Sequence, residues 1–135
     1  MLNLKKVLVV EDEEIYFIKI SQVLTTHFLI QRAKTVNQAL QLLEHNHFDA
    51  ILLDKFLNEE SSFSQIPKIK QLVPTTTLIV FTTDDSLESV AESINMGADD
   101  YVVKDLESLN ALAVRLKMTL EKFASMRSSV QSRKS

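Results

Sequence analysis

Apolar residues fall into short unbroken runs separated by stretches of helical spacing. The runs are Val7–Val10, Phe28–Ile30, Ala50–Leu53, Leu78–Phe81 and Tyr101–Val103. They are continuous rather than alternating, so they read as strands buried on both faces. Between them, apolar positions recur three and four apart. Val36, Ala39, Leu40 and Leu43 form one stripe, and Ile66, Ile69 and Val73 a weaker one. Leu87, Val90, Ala91 and Ile94 form another, and Leu109, Leu112, Ala113, Leu116, Leu120 and Phe123 the last. That spacing predicts amphipathic helices.

Helix punctuation agrees. Thr35 with Gln38 has the spacing of a capping box, as does Asp85 with Glu88. Gly97, the single glycine, follows Ile94 and Met96, where a left-handed C-terminal residue is expected. Asp105 directly follows an apolar run and is placed to cap the last helix. Strands alternating with helices predict an α/β fold: a doubly wound parallel sheet with helices on both faces and right-handed crossovers. Ligands of such sheets bind outside the carboxyl ends of the strands.

The bulk numbers narrow the class. The 135 residues match one domain, and 45% hydrophobic with 24% charged residues is an ordinary globular composition. With no cysteine, disulfides and thiolate metal sites are excluded, which fits a cytoplasmic location. The N-terminal residues lack a secretory pattern, and no apolar stretch approaches the roughly 18–20 residues that span a bilayer. A net charge of −3 argues against direct nucleic-acid binding. Residues 1–124 are expected to form the domain. Residues 125–135, serine-rich with Arg127, Arg133 and Lys134, are expected to be a basic tail: a frayed helix end, a linker, or the cut end of a longer chain.

The candidate chemistry lies at the ends of the runs. After Val10 come Glu11 and Asp12, after Leu53 comes Asp54, after Phe81 come Thr82 and Thr83, and after Val103 comes Lys104. A parallel sheet gathers all of them at one edge. Three packed carboxylates repel one another unless a cation or protons compensate. Hard oxygen donors without imidazole suit Mg²⁺. Lys104 and the Thr82 hydroxyl add donors for phosphoryl oxygens, which completes a set fit for phosphoryl transfer to a carboxylate. Taken singly, each residue has a bland reading: an acid after a strand is usually a turn residue or helix cap, and a Lys there is usually solvated. The coincidence at four strand ends carries the argument.

The segments VLVVEDEE, AILLDKFL, LIVFTT and GADDYVVKD resemble the CheY-like receiver domain of bacterial two-component response regulators, from about Lys5 to about Phe123. The resemblance implies a flavodoxin-like sheet of five parallel strands in order 2-1-3-4-5. It implies that Asp54 is the phosphoacceptor, charged by a sensor histidine kinase or a phosphotransfer protein. Asp12, Asp54 and the backbone carbonyl of Phe56 would hold Mg²⁺, with Glu11 nearby or acting through water. Thr82 and Lys104 would hold the phosphoryl oxygens. Tyr101 matches the aromatic switch residue that turns inward as Thr82 moves; its bland reading is a core aromatic on a strand. Output would run through the face of the fourth helix, fifth strand and fifth helix to a downstream target or attached output domain. No substrate turnover is implied beyond Mg²⁺-dependent self-phosphorylation and autodephosphorylation.

Three positions depart from the family pattern. Asp105 stands where Pro is usual, and a trans peptide is expected there because a cis bond before a non-proline residue costs about 2.5–4 kcal/mol. The loop after Asp54 lacks the usual Pro and Gly, and Thr83 replaces a smaller residue. Those departures motivate an alternative reading, a receiver-like scaffold that works without phosphorylation. A phosphatase of the haloacid-dehalogenase type would need a second acid two residues after Asp54, where Phe56 stands. A flavin site would need a phosphate cradle where Glu11 and Asp12 lie.

Overall fold

A computed structural model describes residues 4–134, with side chains through residue 127. Five strands, β1 (Lys5–Val10), β2 (Phe28–Ala33), β3 (Ala50–Leu53), β4 (Thr77–Thr82) and β5 (Asp100–Val103), form one parallel sheet in the order 2-1-3-4-5. The helices are α1 (Glu14–Leu24), α2 (Val36–His45), α3 (Ile66–Leu72), α4 (Leu87–Met96), α5 (Leu106–Asn110) and α6 (Leu112–Lys134). A short antiparallel hairpin, Phe56–Leu57 with Glu60–Ser61, and a 3₁₀ turn, Phe63–Gln65, lie between β3 and α3. No helix among the described residues is long and apolar enough to cross a membrane.

The unbroken apolar runs have a simple cause: successive side chains point to opposite faces, and both faces are covered. Leu8, Val10, Ile51, Leu53, Leu78 and Val80 pack with Ala39, Leu40 and Leu43 of α2 and Ile66 and Ile69 of α3. Val7, Val9, Leu52, Ile79 and Phe81 pack on the other face with Ile20 and Leu24 of α1 and Leu112, Leu116 and Leu120 of α6. Each buried Val, Leu, Ile or Phe side chain among them contributes about 1.5–3 kcal/mol by leaving water, so these two layers hold the sheet rigid beneath its loops.

Several helix ends follow the sequence. Thr35 Oγ1 accepts from Gln38 N at 3.1 Å, while Gln38 Oε1 accepts from Lys34 N at 2.8 Å. Asp105 Oδ1 accepts from Ser108 N at 2.7 Å and caps α5. Gly97 ends α4 at φ 118°, a conformation that side chains rarely adopt.

Other helices differ from expectation or lay outside it. The α4 cap is Ser86, whose hydroxyl accepts from Ser89 N at 3.2 Å, not Asp85. The α4 stripe is turned outward: Leu87 is 85% and Ile94 44% exposed, while Ser89 and Ser93 are buried. Small hydroxylated residues let this helix sit close to β5, and Ser93 Oγ satisfies itself on the Val90 carbonyl at 2.9 Å. The final helical stripe is interrupted at Ala111, so α5 is a single capped turn before α6 begins. The segment from Ser125, for which a helix end was one of the expectations, lies in α6 as far as Lys134; Ser135 is outside the described residues, as are the side chains from residue 128. Finally, α1 had no clean stripe in the sequence, because its apolar residues surround the helix: Ile20 and Leu24 face the core while Ile15 and Ile18 face outward.

Candidate functional site

The parallel register brings the strand ends level. Val10 pairs with Leu53, Leu53 with Val80, and Thr82 with Val103. Glu11, Asp54 and Lys104 each follow directly on a strand, and Thr82 is the last residue of β4. Carboxylate oxygens from Glu11, Asp12 and Asp54 come within 4.8 Å of one another. Lys104 closes the group, donating from Nζ to Asp54 Oδ2 at 3.0 Å and to Glu11 Oε1.

Burial sets the charge states. Glu11 is 1% exposed, and its pKa is pushed up to about 7, chiefly because burial disfavours the carboxylate. The Lys104 hydrogen bond pulls the other way, and the Asp54 charge adds to the rise. For Lys104, burial works against the ammonium, but the hydrogen bond to Glu11 and the Asp54 charge outweigh it. Its pKa lies above the ordinary value, so the ammonium stays charged. One ammonium cannot neutralise three carboxylates, so the donor set fits a hard divalent cation such as Mg²⁺. Thr82 supplies an independent sign of a ligand. Its Oγ1 is buried and without a hydrogen-bond partner among the described residues, which costs about 1–3 kcal/mol unless another acceptor or donor arrives.

The loops around this edge are held by contacts that the sequence did not reveal. Arg32 Nε donates to the Glu11 carbonyl at 3.0 Å, and its guanidinium pairs with Glu14 and lies 4.7 Å from the centroid of Phe17. Ser62 Oγ donates to the Asp54 carbonyl at 2.6 Å. The hairpin reaches back, with Asn58 N donating to Asp12 Oδ2 at 3.0 Å. It turns through Asn58 (φ 53°) and Glu59 (φ 69°), both left-handed, as a two-residue hairpin turn of this hand requires. Each of these partners lies far along the chain or depends on a turn type, so no periodicity or motif signals it.

Phe56 pairs with Ser61 in the hairpin, and its ring is about half exposed. Ser62 N donates to the Lys55 carbonyl at 2.6 Å. By the alternation of an antiparallel ladder, that bond leaves the Phe56 carbonyl free of the hairpin's own hydrogen bonds. Thr83 is exposed beside the site. Tyr101 does not touch the acidic cluster. Its hydroxyl donates to the Asp84 carbonyl at 2.5 Å and shares a hydrogen bond with Ser89 Oγ at 2.9 Å, tying β5 to the loop after Thr82. The same loop is bridged to the acceptor loop by Lys55 Nζ, 2.8 Å from Asp84 Oδ2. Lys55 and the Ser86 amide hold the Asp84 carboxyl well below the usual carboxylate range.

Comparison with known proteins gives the same picture. Residues 7–117 match the response regulator receiver domain. Transcriptional regulatory protein BasR of Escherichia coli is 30% identical over 109 residues, which cover 78% of this chain and 49% of BasR. The chain spans about half or less of the length of the curated relatives it matches first. A CheY-like receiver domain protein from Methanospirillum hungatei superposes with a TM-score of 0.82 at 26% identity, covering 92% of this chain and 99% of that one. A response regulator from Burkholderia pseudomallei, solved with a phosphorylated aspartic acid, a calcium ion and citrate, superposes with a TM-score of 0.70 at 27% identity. That match covers 87% of this chain and 74% of the other. With this sheet order, an acidic cluster at its carboxyl edge and a family match over most of its length, the chain belongs to the response regulator receiver domain family.

Proposed function

We propose that Asp54 accepts a phosphoryl group from a sensor histidine kinase or phosphotransfer protein, with Mg²⁺ held by Asp12, Asp54 and the Phe56 carbonyl. The observation that carries this reading is Lys104 Nζ at 3.0 Å from Asp54 Oδ2, beside three clustered carboxylates and the unpartnered Thr82 hydroxyl. The cation supplies charge neutralisation for the donor and the attacking carboxylate. Asp54 attacks phosphorus through a carboxylate oxygen, and the donor's leaving atom departs on the opposite side. Lys104 and Thr82 then donate to phosphoryl oxygens. Glu11 holds Lys104 in line and acts near the cation.

The new group adds about −1.5 to −2 charge, which favours movement of Thr82 Oγ1 toward it. Tyr101 is hydrogen-bonded two residues beyond Thr82, at Asp84, so a shift of that loop is transmitted to β5 and α4. The outward stripe of Leu87, Ala91 and Ile94 on α4, with Val114 and Met118 exposed on α6, is the surface whose affinity for a downstream target or output domain would change. The protein acts in the cytoplasm as a phosphoacceptor, with self-phosphorylation and autodephosphorylation as its own chemistry.

Backbone NMR during addition of Mg²⁺, then of beryllofluoride as a phosphoryl mimic, tests this reading. Mg²⁺ is expected to shift the amides around Asp12, Asp54 and Phe56; beryllofluoride is expected to shift Thr82, Tyr101 and α4 in addition. Spectra unchanged at Asp12 and Asp54 would remove the metal site, and shifts confined to it would remove the switch.

A further inference from the structure

Lys104 raises a question of restraint. Its side chain is 4% exposed, yet an ammonium has three N–H bonds to place, and its carboxylate partners are two, Glu11 and Asp54. The backbone fixes only the start of the side chain: Lys104 N donates to the Thr82 carbonyl at 2.7 Å, and Asp105 is occupied in capping α5. Four flexible carbons separate that anchor from Nζ.

The remaining contact comes from α1. Nζ of Lys104 lies over the Tyr16 ring, 4.1 Å from its centroid, a close cation–π distance. The Phe81 ring is farther, at 5.9 Å. Tyr16 is in the first turn of α1, three residues after Glu13, whose amide donates to Glu11 Oε2 at 3.3 Å, so one short stretch of chain carries both the acid's contact and the ring. Tyr16 and Lys104 both line a cleft of about 370 Å³ between α1 and the start of α5, together with Lys19, Phe81 and Leu106. Loss of the ring would open Nζ to water from this cleft and free it to leave Asp54.

We propose that Tyr16 is a positioning residue for phosphoryl transfer: its ring receives the Lys104 ammonium and keeps Nζ aimed at Asp54. The inference rests on Asp54 being the phosphoacceptor. Its required element is the aromatic face, not the hydroxyl.

The test compares wild type, Tyr16→Phe and Tyr16→Leu, each with Lys104 intact and with Lys104→Ala. Phosphorylation by phosphoramidate in Mg²⁺ is followed by intact mass, and the Lys104 ε-methylene protons by NMR. Tyr16→Phe is expected to react within about twofold of wild type and Tyr16→Leu about tenfold more slowly, a loss in the range of one desolvated cation–π contact. In the Lys104→Ala background, Tyr16→Leu should cause no further slowing, because the ring acts only through that ammonium. Ring current should shift the ε-methylene protons upfield in wild type and Tyr16→Phe, and less in Tyr16→Leu. A wild type that takes no phosphoryl group defeats the phosphoacceptor reading, while the ring-current shift still decides whether Tyr16 holds Lys104. A reactive wild type with Tyr16→Leu equally fast, or equally slowed without Lys104, overturns the positioning role. If Tyr16→Leu does not fold, the absence of an upfield shift in wild type overturns it instead.

Discussion

Glu11 shows how one residue links the site to the stability of the whole chain. Its carboxyl pKa rises from 4.5 to about 7, mainly through burial. The sign follows from linkage: a raised folded-state pKa stabilises the fold fully below 4.5, and that contribution is lost as pH climbs through about 7. Without divalent metal, the urea midpoint should therefore fall across this window, and Glu11→Gln should flatten the fall. Mg²⁺ should offset it, because a cation favours the charged cluster. A metal-free midpoint that falls equally in wild type and Glu11→Gln would show that another group carries the dependence. Residue types at the site were legible in the sequence because each stands at a strand end, where topology alone fixes its neighbours. Arg32, Ser62 and Tyr16 were not, because their roles depend on where a side chain from another element points.

Among the elements, the acceptor hairpin and α4 are where local sequence and structure disagree. The hairpin places Glu59 at φ 69°. A side chain there costs about 1–2 kcal/mol, so Glu59→Gly should raise stability in urea by about 0.5–1 kcal/mol, after allowing for glycine's extra freedom in the unfolded chain. No gain would mean the turn adopts another conformation in solution. The lack of Pro or Gly after Asp54 flagged this loop as unusual, but side-chain pattern alone cannot specify two consecutive left-handed residues. In α4 the periodicity was correct and its direction was not evident: a stripe tells which residues share a face, not whether that face meets the core. Ser93→Leu, at a fully buried position, is expected to cost about 1–3 kcal/mol through overpacking. Leu87→Glu, at an exposed one, should change stability by less than about 0.5 kcal/mol. Equal costs in chemical denaturation would contradict the outward orientation.

At the scale of the molecule, the parallel sheet and its two-layer core follow from unbroken apolar strands alternating with helices, whereas the strand order was legible only through the family resemblance. The order makes the carboxyl edge of β1, β3, β4 and β5 a single surface, and the core beneath holds it still. The loops above it carry the coupling. Lys55 joins the acceptor loop to Asp84, and Asp84 accepts from Tyr101, so a charge placed on Asp54 meets a continuous set of bonded contacts leading to α4 and its exposed apolar stripe. On the proposed reading, these contacts serve a switch that modification of Asp54 sets. Intact mass after incubation with a small-molecule phosphodonor, with and without Mg²⁺, decides the matter for wild type and Asp54→Asn. One added phosphoryl group that requires Mg²⁺ and is lost in Asp54→Asn is the predicted result. An unmodified wild type, under conditions that modify a control receiver, or an adduct that persists in Asp54→Asn, would contradict it.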